Sequence, residues 1–272
     1  MRSYNGIDFS PVRRKLMQSG QVTDATCEAL FRLPFSVRSM RAHDHVVRAG
    51  ENVRSCFVLL SGFACRYKIV AGGSRQIVGL HLPGDFIDLQ SAFLGRAAHS
   101  LQMMTPGDTA SVPLKDLQEF AAQYPELQNA LWVESLVDLS ITSEWVSNVG
   151  RRDARSRIAH LLCEFATRLR GAGMSPERSF TLPMTQEQIA DATGLTSVHV
   201  NRTLQELGRS DLIRRQGRSI TVPEWQALAD VADFDPAYLS VAQSPQRQTT
   251  VQLEPGRADA APAMRSGHIS AH

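Results

Sequence analysis

Five residues lie close enough together to read the edges of base pairs: Ser197, His199, Asn201, Arg202 and Gln205. Arg carries a planar fork of donors that matches guanine O6 and N7, and Asn offers a donor beside an acceptor that matches adenine N7 and N6. At helical spacing they share one face, because Val200, Leu204 and Leu207 recur at four and three residues and claim the opposite one. A helix with such a polar face fits the major groove of duplex DNA. Downstream, Arg214, Arg215 and Arg218 crowd Gln216-Gly217, between two β-type runs at Leu212-Ile213 and Ile220-Thr221-Val222. A hairpin with a cationic tip, placed after a recognition helix, suits a phosphate backbone.

Other residue groups have chemistry-bearing types without the required spacing. His43-Asp44-His45 followed by Glu51 resembles the ligand set of a cupin metalloenzyme. Val37 stands where that motif has Gly, the spacing to Glu51 is long, and no His follows Pro83-Gly84 to complete the set. Neither a metal, a cofactor nor an enzymatic activity is expected. Cys27, Cys56, Cys65 and Cys163 are widely spaced and form no C-x-x-C pair, which argues against a zinc or disulfide framework and for buried free thiols. His81 and His99 are expected at the surface or satisfied in the core, rather than as haem ligands.

The reading helix needs elements to hold it. Ile189, Ala190 and Ala192 supply the small apolar contacts of a preceding helix, and Gly194 sits where the turn needs a backbone without a Cβ. Leu195 fills the angle and Thr196 is an N-cap for the second helix. Charge distribution supports this placement. The whole chain carries only +2, but residues 151–222 hold twelve Arg, no Lys and seven acids, a net +5. That leaves the remainder near −3, as expected of a DNA-binding domain attached to a sensor. A chain of 272 residues, 43% hydrophobic, fits two modest domains plus extensions. No apolar run approaches the roughly 18 residues of a membrane span and no hydrophobic signal core opens the chain, so a cytoplasmic location is expected.

The fold class expected is α+β: an N-terminal antiparallel β-roll or jelly roll, a long dimerisation helix and a C-terminal winged helix-turn-helix. Residues 1–24 are polar and read as a loosely held leader. A short helix over 23–33 opens the sensor domain, taken as 25–124. Within it, short β-type runs at Val46-Val47, 56–60, 63–67, 77–80, 101–104 and 110–112 alternate with Gly- and Pro-rich turns. An amphipathic helix follows at 114–124. Pro125 then opens a long helix, taken as 125–150, on which Trp132, Leu136, Leu139 and Val146 form a near-heptad stripe with Ser143 in the gap. Gly150-Arg151-Arg152-Asp153 reads as a hinge into the DNA-binding domain, 151–231, whose first helix buries Ile158, Leu161, Leu162, Phe165 and Leu169. Residues 240–272 are rich in Ser, Pro, Gln, Ala and Gly and are expected to be disordered.

Several of these segments resemble the Crp–Fnr family of bacterial transcription regulators. The matching features are Leu182-Pro183-Met184-Thr185, Gly194-Leu195-Thr196, Val200-Asn201-Arg202, and Leu212-Ile213 through Gly217-Arg218 to Val222. Gly50-Glu51, Leu60-Ser61-Gly62 and Pro83-Gly84-Asp85-Phe86 resemble that family's cyclic-nucleotide-binding β-roll. The resemblance implies a homodimer on an inverted repeat in double-stranded DNA, working with RNA polymerase. It places Arg202 at the guanine-reading position and Ser197, Val198 and Asn201 at the other base-facing ones. It places Thr185, Gln186, Thr196, His199 and Arg218 against phosphates. Val198 departs from the Glu that many members carry there, so the half-site is expected to differ from theirs. In the phosphate cassette the resemblance puts Asp88 and Arg96 at effector-binding positions, but Ile87 stands for the usual Gly and Asp88 for Glu. Some members hold an iron–sulfur cluster on clustered N-terminal cysteines. Cys27 alone in that region argues against one here.

Overall fold

Short strands between residues 36 and 113 pair into two four-stranded antiparallel sheets. The computed structural model describes residues 6–18, 20–175 and 179–239. Two helices come first, α1 (Ser10–Gln18) and α2 (Asp24–Leu30). The roll follows with β1 (Ser36–Met40), β2 (His45–Val47), β3 (Ser55–Leu59), β4 (Ala64–Ile69), β5 (Arg75–His81), β6 (Phe86–Ile87), helix α3 (Leu89–Leu94), β7 (Ser100–Met103) and β8 (Gly107–Pro113). One sheet has the order β1-β8-β3-β6 and the other β2-β7-β4-β5. In the first, Cys56 pairs with Val112 and Val58 with Ala110, so these four apolar side chains face one core.

Helix α4 (Leu114–Gln123) leads to α5 (Pro125–Arg151), which has proline in its first turn. The DNA-binding half comprises α6 (Ala154–Gly171), β9 (Ser179–Thr181), α7 (Gln186–Thr193), α8 (Ser197–Arg209), β10 (Arg214–Gln216), β11 (Ser219–Thr221), α9 (Trp225–Ala232) and a 3-10 turn at Pro236–Leu239. Every α6 residue expected in the core is there: Ile158, Leu161, Leu162, Phe165 and Leu169 are buried. Among the described residues no helix is long and apolar enough to cross a membrane.

Three expectations need correction. Residues 1–24 do not form a loose leader where the structure describes them. Helix α1 buries Val12 and Leu16, Phe9 stacks on Phe31, and Thr23 caps α2. The hinge is at Arg152 and Asp153 rather than Gly150. Gly150 lies inside α5, Arg152 is extended, and Asp153 restarts the helix by accepting a 2.8 Å bond from Ser156 N. The wing's first strand is Arg214–Gln216, not Leu212-Ile213. The two-residue turn at Gly217-Arg218 sets Gln216 opposite Ser219, which leaves Leu212 and Ile213 to bury themselves before the strand begins. The tail expected to be disordered, 240–272, lies outside the described residues.

The halves share one apolar core. Cys65 and Ile77 of the roll, Trp145 of α5, Phe165 of α6 and Val200 of α8 belong to a single cluster. A buried ionic group runs beside it. Lys15 of α1 bonds Asp85 in the β5–β6 connection and lies 2.8 Å from Glu134 of α5. Arg168 of α6 lies 3.2 Å from the same Asp85. Burial by itself would raise the Asp85 carboxyl, but Lys15, His81 and Arg168 hold it well below the usual carboxylate range. Burial would likewise lower the Lys15 ammonium, yet Asp85 and Glu134 keep it above its ordinary value.

These directions set a pH window. A depressed carboxyl contributes its stability above about pH 4 and loses it as pH falls; a raised ammonium contributes below about pH 10 and loses it as pH rises. Asp85→Asn keeps the side-chain shape and removes the charge shared by Lys15 and Arg168, leaving Lys15 with Glu134 and Arg168 with Glu164, so it should cost about 1–3 kcal/mol at neutral pH. Denaturant titrations between about pH 3 and 7 should show a steeper acid loss in the natural chain than in the variant. Parallel acid limbs would show that Asp85 does not supply this linkage.

Candidate nucleic-acid interface

The helix-turn-helix is assembled by caps before tertiary contacts act on it. Thr185 and Gln188 form a reciprocal pair: Gln188 N donates to Thr185 Oγ1 at 3.1 Å, and Thr185 N donates to Gln188 Oε1 at 2.9 Å. Gly194 ends α7 at φ +66°, where an L side chain is strained, and Leu195 N donates back to Ala190 O at 3.1 Å. Thr196 then caps α8 by accepting from His199 N at 3.2 Å. The Thr185 and Thr196 hydroxyls use acceptor capacity for these caps, so each keeps its proton to donate.

Helix α8 buries Val200, Thr203, Leu204 and Leu207. Ser197, Val198, Asn201, Arg202 and Gln205 point outward, and His199 is half-buried. Val198 is 81% exposed, so its side chain has almost nothing to pack against in the free protein. Among the described residues the exposed Arg202 side chain makes no hydrogen bond or ion pair. One contact crosses the two helices: Gln186 Nε2 donates to Asn201 Oδ1 at 3.2 Å.

The wing's three arginines are not equivalent. Arg214 is bound by Asp211 through two bonds of 3.0 and 3.1 Å, and Arg215 Nε donates to Gly217 O at 3.0 Å. Arg218 has no side-chain partner among the described residues, while its carbonyl accepts from Leu182 N at 2.9 Å. That backbone bond and the Ile220–Phe180 pairing with β9 anchor the wing beside α7.

Contacts from far along the chain orient this unit, and the sequence reading missed them. Arg157 of α6 donates to Thr193 O at 2.7 Å and to Arg152 O at 2.9 Å, joining the end of α7 to the hinge. A Cβ on Gly194 would sit 3.3 Å from Val149 Cγ1, so the turn lies directly on the end of α5. From the roll, Arg75 lies 3.7 Å from Asp191 and Gln76 donates to Ala192 O at 3.4 Å. These groups are spread over more than a hundred residues, and no local pattern marks them.

In the roll, the two residues expected at the effector have other work. Asp88 is buried and stands at the start of α3 in the left-handed region at φ +60°, with no side-chain bond to the helix backbone. Its Oδ1 lies 2.8 Å from His99 Nε2 and accepts from Ser91 Oγ at 2.6 Å. Arg96 is exposed and donates to Gly50 O at 3.2 Å. They engage separate partners and form no shared grip. His43, His45 and Glu51 line one cleft, but His45 is bonded to Tyr67 OH at 2.8 Å and Glu51 accepts from Arg48 N at 3.0 Å. Among the described residues no cluster of three or more His, Cys, Asp or Glu could hold a metal ion. His81 and His99 are both buried, beside Asp85 and Asp88. All four cysteines are buried free thiols. Burial pushes Cys27 and Cys65 up to about 11 and Cys56 and Cys163 up to about 12, which keeps them protonated and unreactive.

On α5, Trp132, Leu136, Leu139 and Val146 remain between 56% and 69% exposed. Four large apolar side chains at near-heptad spacing thus form an exposed apolar stripe on α5.

A cyclic-nucleotide-binding-type roll joined through a long helix to a winged helix-turn-helix defines a sensor-linked DNA-binding protein. Comparison with known proteins agrees. Residues 37–124 match the cyclic nucleotide-binding domain family and residues 156–231 match the Crp-like helix-turn-helix domain. The fumarate and nitrate reduction regulatory protein of Escherichia coli (strain K12) is 25% identical over 185 residues, 68% of this chain and 74% of that protein. The structure of FixK2 from Bradyrhizobium japonicum is similar with a TM-score of 0.67 and 25% identity, covering 73% of this chain and 98% of that one. A CooA mutant from Carboxydothermus hydrogenoformans shares the fold at TM-score 0.61 and 15% identity, covering 80% and 94%. The chain belongs to the Crp–Fnr family: it is a DNA-binding transcription regulator with a cyclic-nucleotide-binding-like sensor domain.

The turn geometry yields a direct test. Gly194→Ala places a Cβ in the left-handed region and against Val149, so it should lower the unfolding free energy by about 1–2 kcal/mol in denaturant titration. An unchanged midpoint would mean the turn relaxes freely.

Proposed function

We propose that this regulator works as a homodimer that reads an inverted repeat in double-stranded DNA. The observation that carries the reading is the exposed row Trp132, Leu136, Leu139 and Val146 on α5, in the same chain as one exposed reading helix. Pairing two α5 helices removes that apolar surface from water and sets two α8 helices in successive major grooves. The division of labour is a sensor over 25–124, a dimerisation helix over 125–150 and a DNA-binding domain over 151–231. Arg202 reads guanine through O6 and N7, while Ser197, Val198 and Asn201 face neighbouring bases. Val198 can touch a thymine methyl but cannot accept a hydrogen bond. Thr185, Gln186, Thr196, His199 and Arg218 meet phosphates. The protein is not an enzyme. It acts in the cytoplasm, with RNA polymerase as its downstream partner.

In this reading Asp88 and Arg96 do not serve the roll as a cyclic-nucleotide grip. The first is committed to His99 and Ser91, and the second to the Gly50 carbonyl. A signal acting on the roll would reach DNA through β5, which touches α7, and through the Arg152 hinge.

Two measurements test the reading. Arg202→Ala should lose about 1–3 kcal/mol at a single base pair of the site, whereas Arg218→Ala should weaken all sequences alike and reduce the salt slope by about one unit. Equal losses on every sequence for Arg202→Ala would remove it as a base reader. Leu136→Glu combined with Leu139→Glu should yield monomers in analytical ultracentrifugation and abolish binding to the full repeat. A dimer that survives both charges would place the interface elsewhere.

A further inference from the structure

We infer that residues 233–239 form a strut that fixes the angle between α5 and α6, and so selects the spacing between the two half-sites that the dimer reads. This inference rests on the dimeric reading proposed above. The segment lies beyond the 156–231 stretch that matches the Crp-like helix-turn-helix domain. The chain leaves α9 at Asp233, in the left-handed region at φ +48°, and Phe234 N donates back to Ala229 O at 3.0 Å. The 3-10 turn at Pro236–Leu239 then lies against both α5 and α6.

The segment is pinned along its whole length. At its start it meets Arg152, the extended residue between the two helices. Arg152 donates to Asp233 O at 3.0 Å and to Asp233 Oδ2 at 3.2 Å, and its other terminal nitrogen lies 2.7 Å from Glu144 of α5. In its middle, Phe234 and Tyr238 pack on the buried His160 of α6, Phe234 edge-on at 5.4 Å and Tyr238 stacked at 5.9 Å. The same imidazole lies 3.2 Å from Glu144. At its end, Tyr238 OH donates to Glu164 Oε2 at 2.9 Å, the oxygen that also accepts from Trp145 of α5, and Leu239 is buried in the shared core.

The Asp233 carboxylate is exposed, and an ion pair there is weak by itself. The aromatic packing on His160 and the buried Leu239 carry the larger share. Together they join the DNA-binding half to α5 at its last residues as well as at its first. Opening the α5–α6 angle would draw Tyr238 off His160 and Asp233 off Arg152. Small angles matter here. A point about 20 Å from the hinge, the length of the 13 residues of α8, moves about 3.5 Å for a swing of about 10°, which is the rise of one base pair.

The experiment is selection from random duplex DNA, followed by sequencing, with the full-length natural chain, Asp233→Ala combined with Tyr238→Ala, and Arg152→Ala. None of these residues lies on the reading face of α8. The natural chain should enrich an inverted repeat with one spacer preferred about tenfold over those one base pair longer or shorter. Both variants should enrich the same half-site letters, with that preference reduced to about twofold or less. Their affinity for the best full repeat should fall about three- to thirtyfold, with affinity for a single half-site unchanged. Unchanged half-site letters show that the reading unit is folded, so a segment that merely added stability would leave the spacer unchanged too. Variants that keep one spacer would overturn the strut, as would a natural chain that accepts several spacers equally. If the double variant enriches nothing, Arg152→Ala decides: a broadened spacer supports the strut and a single one overturns it. A natural chain that enriches only unpaired half-sites would overturn the dimeric reading, and the inference falls with it.

Discussion

Asp85 is where the separate parts of this regulator become one body. Its carboxylate takes Lys15 from the N-terminal helix and Arg168 from the first helix of the DNA-binding half, while Lys15 also reaches Glu134 on α5. The same residue holds its own turn, since Leu82 N donates to Oδ2 at 2.9 Å and Leu59 N to its carbonyl at 3.0 Å. A second acid extends the network. Glu164 of α6 is buried and accepts from Trp145 on α5 and Tyr238 near the end of the described chain, each at 2.9 Å. Buried charges contribute little net stability when paired and cost heavily when a partner is lost. Such a network is therefore selective: it penalises any arrangement in which the roll, α5 and α6 separate.

That constraint bears on how a signal could travel. The β4–β5 hairpin presents Arg75 and Gln76 to the last turn of α7, and Arg157 ties that same turn to the hinge. The reading unit is thus held at the C-terminal end of its first helix. A change of packing in the roll, or of the angle between α5 and α6, would be transmitted to α8 as a shift of the whole unit, because the caps at Thr185 and Thr196 keep it rigid. The α1 contacts add a further restraint, since Arg14 and Gln18 donate to the carbonyls of Ala172 and Gly171 just where α6 ends.

The roll keeps its family's framework while changing the ligand-facing chemistry. A nucleotide cassette needs carboxylate and guanidinium groups that are free and convergent. Here the carboxylate that occupies that stretch is buried against His99 and Ser91, and the arginine is folded onto a turn carbonyl. The framework still positions β5 and α5, which is what the DNA-binding half depends on.

Local rules were enough for much of this chain. Strand positions followed from short β-type runs between Gly- and Pro-rich turns, and the helix-turn-helix from Gly194, its caps and the spacing of Val200, Leu204 and Leu207. These features depend on neighbours within a few residues, so the sequence displays them directly. Tertiary structure decided the rest. Helix α1 carries Arg13, Arg14 and Lys15 and reads as a solvated leader, yet Lys15 has its partners at Asp85 and Glu134, far along the chain. Asp88 is taken up by His99, eleven residues on, and the wing's strand moved past Leu212 and Ile213 because the core claimed them first. Gly150 stayed helical because the break fell at Arg152 and Asp153, where a side-chain cap was available. Charge pairing and core space are properties of the folded chain as a whole, and a linear pattern carries no record of which distant group will supply them.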